Sequence, residues 1–263
     1  VTELAGYKFR CWNRGGHGPC DLHRALKESC DVYFYEIARR TGMSRIARMG
    51  HRLGLGEAFG LELLGVKAGL LPDSDWKRGA TGRGWYAGET LLAGIGQSYV
   101  LSTPLQLAVM TARLATGRAV APRLIVPATG DAIRPAASLG LSARHLSAIR
   151  RAMRAVVNEP GGTARSARLG GGAVLSGKTG TSQVTRLSSL RDPATLAWHH
   201  RDHALFVGYV STADGPRYAA AAVVEHGGSG GKIAAPLVRA ILTDVLAADP
   251  ARRRAFRPPH REA

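Results

Sequence analysis

Acidic residues are scarce in this chain. Asp and Glu total 19 against 36 Lys and Arg, a formal charge of +17 over 263 residues. Such an excess admits three kinds of neighbour: nucleic acid, an anionic membrane surface or an acidic polymer. Aromatic residues are few as well, at 6%. The arginines are scattered, with Arg150, Arg151 and Arg154 on one predicted helix and Arg252, Arg253 and Arg254 in the tail. Single-stranded nucleic acid is bound by a basic groove interleaved with stacking aromatics. The expectation is therefore no nucleic-acid partner, with the charge spread over solvated helix faces.

Long apolar runs are missing too. No stretch of about eighteen apolar residues occurs, so no spanning helix and no membrane anchor are expected in this chain. Val1 to Arg10 lacks the apolar core of a signal peptide, which places any targeting element outside this sequence. Cysteine stops early: Cys11, Cys20 and Cys30 are followed by none. An odd, clustered set argues against a disulfide framework and leaves a metal site open. No internal repeat is visible.

What is present suits one α+β domain. The chain is 45% hydrophobic, enough for a sizeable core. Asp21 is placed to cap a helix carrying Leu22, Ala25 and Leu26, interrupted at Ser29-Cys30-Asp31. A second helix runs over 32–40 and closes at Gly42. Ser44 is read as the cap of a third, which stops at Gly54. The glycine-rich stretch 54–96 reads as loops and short elements. Thr103-Pro104-Leu105-Gln106 forms a capping box with proline at the first helical position. The helix that follows is expected to bury Leu105, Ala108, Val109 and Ala112. Another starts at Ser142 with Leu146, Ile149, Met153 and Val156 at helical spacing. Three β-prone stretches follow, 173–184, 204–210 and 218–225, the last two joined by a turn sequence. An apolar helix over 234–247 closes the fold. Residues 1–248 are read as one domain and 249–263 as a basic, Pro- and Arg-rich tail.

Two short motifs carry chemistry. Ser29-Cys30-Asp31 sits where one helix stops and the next begins. Lys178-Thr179-Gly180-Thr181 sits in a β-prone stretch. Two hydroxyls and an ammonium on one strand make a rail for a carboxylate: Thr179 and Thr181 donate, and Lys178 supplies positive potential. Gly180 lets a peptide lie against the backbone. A serine opposite that lysine can relay a proton to a leaving group. The plain alternatives are a helix-capping Ser29 and a hairpin lysine at position 178.

Taken together, the two motifs resemble the S-D-N and K-T-G elements of the penicillin-recognising serine acyltransferases. The stretches Gly16-His17-Gly18, 26–35, 93–97, 103–106, 176–181 and 201–204 are similar to the penicillin-binding protein 2 family, from about Phe9 to Leu246. That resemblance implies an antiparallel sheet flanked by helices, the transpeptidase or β-lactamase-like fold, here incomplete at its N-terminus. It implies a peptidoglycan D,D-transpeptidase that cross-links stem peptides through a serine acyl-enzyme and is acylated by β-lactams. Carried over by position, Ser29, Asp31 and Lys178 are catalytic, and Thr179, Gly180 and Thr181 bind substrate. Asp31 stands where many relatives have Asn. It also implies an elongation glycosyltransferase and morphogenesis proteins as partners, and the periplasmic face of the inner membrane as the location.

The family's S-x-x-K nucleophile precedes S-D-N, yet no serine precedes Ser29 here. Ser74-Asp75-Trp76-Lys77 and Ser229-Gly230-Gly231-Lys232 come in the wrong order. The chain is thus expected to lack the nucleophile and to be inactive alone. The other reading is a non-catalytic cell-wall binding or scaffold relative that keeps the carboxylate rail. A β-lactamase is disfavoured, since no Glu lies in a motif that would position a deacylating base. Finally, Cys11, His17 and Cys30 are spaced C-x5-H-x12-C. Some relatives hold a structural zinc with an Asp-Asp-His-Cys set, which His17 and Cys30 match, with Cys11 in the place of an Asp. Cys20 or His23 would be the local fourth ligand. No cofactor is expected for the chemistry itself.

Overall fold

The structure is a computed structural model that describes residues 1–61, 65–124, 135–184 and 196–250. The arginines of the tail, Arg252 to Arg254, lie outside the described residues. The chain opens on a small antiparallel hairpin, β1 (Thr2–Leu4) and β2 (Tyr7–Phe9). Ala5 and Gly6 form its turn, both at positive φ (49° and 79°), as a two-residue hairpin turn demands. Three-residue strands are too short to show alternation, so the sequence did not announce them.

Helices α1 (Leu22–Glu28), α2 (Asp31–Thr41) and α3 (Met43–Leu53) follow. Asp21 caps α1 as expected, accepting from the Arg24 backbone N–H. Ser44 does not cap α3. Gly42 holds that position, and the helix begins at Met43, whose side chain is buried. Burying Met43 against Ala47 and Ala93 outweighs a serine cap, because a buried methionine contributes about 1.5–3 kcal/mol and a cap about 1 kcal/mol. The stretch expected as short elements holds α4 (Ser74–Thr81) and α5 (Ala87–Ala93).

Helix α6 (Pro104–Thr116) has the expected capping box between Thr103 and Gln106. Its buried positions differ from expectation: Gln106, Thr111 and Arg113 join Val109 and Ala115 inside, while Leu105, Ala108 and Ala112 are half-buried. The cause is the backbone beside it. Gln106 donates to the carbonyls of Glu57 and Ala68, and Arg113 to those of Arg52 and Val120. Buried polar side chains are admissible where backbone acceptors meet them, and here they tie Glu57, Ala68 and the end of α3 to the helix.

Helix α7 (Ala143–Asn158) precedes strands β3 (Val174–Ser182), β4 (His203–Thr212) and β5 (Gly215–Val224), and α8 (Ala235–Ala248) comes last. The strands pair antiparallel in the order β3-β4-β5. Helix α7 packs on β3, while α6 and α8 pack on β4 and β5. Between them lies a core that includes Leu26, Met153, Val156, Leu175, Phe206 and Leu242. Gly177 is required there: a Cβ would run into the Phe206 ring and the Val207 carbonyl. The architecture is the α+β arrangement expected, with β3 at the edge of its sheet.

Candidate active site

Ser29 and Lys178 meet. Lys178 Nζ donates to Ser29 Oγ at 2.8 Å and to its neighbour's carbonyl, Thr179 O, at 2.9 Å. Ser29 reaches this place because α1 ends on it in the left-handed conformation, φ 57° and ψ 54°. A non-glycine residue there costs about 1–2 kcal/mol, which the surroundings offset. The Cys30 N–H donates to Ala25 O at 2.8 Å, and the Trp12 indole N–H donates to Ser29 O at 2.8 Å. Ser29 therefore ends one helix instead of capping the next. Cys30 holds the capping position of α2, without a side-chain cap bond.

The electrostatics of the pair follow from burial. Enclosure of the Lys178 ammonium pushes its pKa from 10.5 down to about 8, with Asp31 pulling the other way. Burial likewise raises the Asp31 pKa, opposed by the Trp12 backbone N–H and by the Lys178 charge. Asp31 Oδ2 accepts that Trp12 N–H at 2.8 Å. Asp31 is thus bound inward and ties the N-terminal segment to the start of α2. An amine near pKa 8 next to a hydroxyl is able to take and return a proton at neutral pH.

Strand β3 presents the remaining residues. Thr179 Oγ1 lies 2.8 Å from Thr163 Oγ1. Gln97 Nε2 donates to Thr181 O at 2.9 Å, and Thr181 itself is exposed. A Cβ on Gly180 would sit 3.2 Å from Leu205 Cβ on β4, so strand packing also favours glycine there. Among the described strands β3 pairs only with β4. On its other side the carbonyls of Leu175, Thr179 and Thr181 accept from Asn158, Lys178 and Gln97 side chains rather than from a strand.

Neither S-x-x-K string pairs its serine with its lysine side chain here, although Gly230 and Gly231 of the second pack closely on Gly180 and Thr179. Ser74 begins α4, and Lys77 is buried, ion-paired with Glu89 and covered by the Tyr86 ring at 4.2 Å. The Ser229 hydroxyl accepts from the Lys232 backbone N–H at 3.4 Å, and the Lys232 side chain is exposed.

Cys11, His17 and Cys30 converge. One ligand atom from each of Cys11, His17 and Cys30 lies within 4.8 Å of the others, and Cys11 Sγ is 3.5 Å from His17 Nδ1. Tetrahedral zinc with bonds of about 2.3 Å to sulfur and 2.0 Å to nitrogen sets those atoms about 3.5 Å apart. The donor set fits zinc. For the fourth position, Cys20 lies beside the cluster, its Sγ 3.9 Å from His17 O, whereas His23 Nε2 is 3.3 Å from Glu159 Oε2. Without a metal, burial raises the thiol pKa of both Cys11 and Cys30.

Three residues that sequence reasoning gave no role shape the site: Trp12, Thr163 and Gln97. Trp12 had no signal beyond being an aromatic between two candidate ligands. Thr163 lies between the helix that starts at Ser142 and the first β-prone stretch, where no motif marked it. Gln97 lies in a stretch cited for resemblance, but its bond to β3 spans 84 residues and no local pattern encodes it.

Comparison with known proteins bears on the family and the fold. The description "Penicillin binding protein transpeptidase domain" matches residues 2–243. The chain is 33% identical over 245 residues to the Peptidoglycan D,D-transpeptidase MrdA of Salmonella typhimurium, covering 89% of this chain and 39% of that protein. It is 34% identical to its counterpart in Haemophilus influenzae, over 89% of this chain and 38% of that one. Among solved structures it superimposes on Helicobacter pylori PBP2, in complex with MreC, with a TM-score of 0.81 and 31% identity. That match covers 94% of this chain and 44% of the other. Pseudomonas aeruginosa PBP2, in complex with WCK 5153, gives 0.78 and 37%, over 93% and 54%. The chain spans about two fifths of the length of the curated relatives it matches.

Proposed function

The chain belongs to the penicillin-binding protein transpeptidase domain family, and on that premise we propose that it supplies the Lys178 strand and the Ser29 loop of a peptidoglycan D,D-transpeptidase site. The observation that carries this reading is the 2.8 Å contact of Lys178 Nζ with Ser29 Oγ.

On this reading a stem peptide lies along β3, its terminal carboxylate met by Thr179, Thr181 and the Lys178 charge. Ser29 and Lys178 pass a proton to the amine of the departing D-Ala. The acyl group itself goes to the serine of an S-x-x-K element. This sequence carries no serine ahead of Ser29, and Ser74 and Ser229 serve their own turns. The chain by itself then binds the carboxylate end without being acylated. β-Lactams are ligands of the same strand.

The remaining assignments extend the same reading. Cys11, His17 and Cys30 hold a structural zinc with Cys20 as fourth ligand, which would secure the segment carrying Trp12 against the Ser29 loop. By analogy with the Helicobacter pylori PBP2–MreC complex, cell-shape proteins are partners, together with a glycosyltransferase. The periplasmic face of the inner membrane is the place of action. No described helix is long and apolar enough to cross a membrane.

Fluorescent penicillin tests the proposal. The expected result is reversible binding to the purified chain that Lys178→Met abolishes, with no covalent label on the gel. Reversible binding indifferent to Lys178→Met would contradict it. So would a covalent adduct mapped to Ser74 or Ser229.

A further inference from the structure

A second concave surface lies outside the Lys178–Ser29 pair, along α7. That helix has no acidic residue, and it carries Arg144, Arg151 and Arg154. Seven- and three-residue spacing puts these three on one helix face, with Ser147 and Asn158. The opposite face is the buried one, with Leu146, Met153 and Val156.

Two cavities of about 650 Å³ and about 500 Å³ open along the cationic face and share Arg151, Arg154, Gly172 and Val174 as lining. They form one groove between α7 and the segment leading into β3. Arg168 lines the first cavity as well.

The charge in this groove is uncompensated. Among the described residues no carboxylate pairs with Arg151, Arg154 or Arg168. Glu159, the only acidic residue lining either cavity among the described residues, is engaged by His23 at 3.3 Å and Lys27 at 3.8 Å. A second, independent feature is Thr212, which lines the other cavity. Its hydroxyl is the one buried side-chain polar atom without a hydrogen-bond partner among the described residues. Buried polar groups are nearly always satisfied, so this hydroxyl calls for a partner.

We propose that this groove binds an extended acidic peptide, with successive carboxylates paired to Arg151, Arg154 and Arg168. Guanidinium forks match carboxylates two bonds at a time. Arg151 and Arg154 are one helical turn apart, about 4.5 Å along the axis, and their long side chains span to carboxylates on alternate residues of a strand, which share one face about 6.7 Å apart. The concavity favours a chain laid in the groove over a flat lipid surface. The proposal stands apart from the transpeptidase reading and rests on none of its residues.

The test is fluorescence polarisation of the purified chain with a fluorescein-labelled peptide of alternating Glu and Ala. The same peptide with Gln for Glu is the control. Arg151→Gln/Arg154→Gln should weaken binding by at least about tenfold. Arg45→Gln/Arg48→Gln, which removes the same charge from exposed positions on α3, should change it little. Thermal melts confirm that both variants fold, and the affected residues are solvent-exposed. Equal weakening by both variants would overturn the proposal, since net charge alone would then be at work. So would binding of the Gln peptide as tightly as the Glu peptide. Groove-dependent binding confined to inorganic diphosphate or to phosphatidylglycerol vesicles would overturn the peptide assignment.

Discussion

Lys178 Nζ and Ser29 Oγ lie 2.8 Å apart although 149 residues separate them in the chain. The contact joins a helix end to an edge strand, and both halves are strained or costly alone. Ser29 holds a left-handed backbone, and Lys178 buries its ammonium. Neither cost serves the stability of the domain. Such local sacrifices are typical of functional sites.

The first prediction concerns pH. In the unfolded chain Lys178 keeps its proton to about 10.5, while in the folded protein it releases it near 8. Between these values the unfolded state binds more protons, so this group makes stability rise with pH. Lys178→Met removes the burden. The variant should therefore melt above the parent at pH 7, with the gap closing towards pH 10. A gap constant across that range would show that burial does not depress the lysine.

The metal reading predicts about one zinc per chain by elemental analysis after growth in zinc. Chelation should lower the melting temperature. Cys20→Ala should weaken zinc retention, while His23→Ala, which loses only its contact with Glu159, should retain the parent stoichiometry. The reverse pattern would exchange the fourth ligand.

Trp12 is predicted to act as a clamp on the Ser29 loop. Trp12→Phe keeps a ring but deletes the N–H that reaches Ser29 O and Glu28 O. A loss of about 1 kcal/mol in urea unfolding is expected, with faster hydrogen exchange at the Cys30 amide. Unchanged exchange there would release Trp12 from this role.

Thr163 should matter through its hydroxyl. Thr163→Val, nearly the same shape, should cost about 1 kcal/mol by leaving Thr179 without its 2.8 Å partner. Thr163→Ser should restore most of it. Equal effects of valine and serine would point to packing instead.

The sequence disclosed some of this and hid the rest for physical reasons. Helix ends were legible where side chains cap or glycine follows: Asp21 and Thr103 behave as read, and Gly54 closes its helix in the left-handed conformation. The three strands of the main sheet were legible from their β-prone runs. Ser44 misled because tertiary burial of Met43 sets the start of α3. The polar interior of α6 was invisible, since it depends on carbonyls 38 to 61 residues away in sequence, those of Ala68 and of Arg52 at the end of α3 among them. At the site, Ser29 and Lys178 were found through motif order, but Trp12 and Thr163 act through contacts that no local spacing records.

The most direct test of the central claim is a nitrogen–proton NMR titration of the chain with a peptide ending in D-Ala-D-Ala. The account predicts shifts at Ser29 and along Lys178 to Thr181, lost in Lys178→Met. Shifts confined to other surfaces, or none at all, would contradict the assignment of β3 as the carboxylate-binding strand.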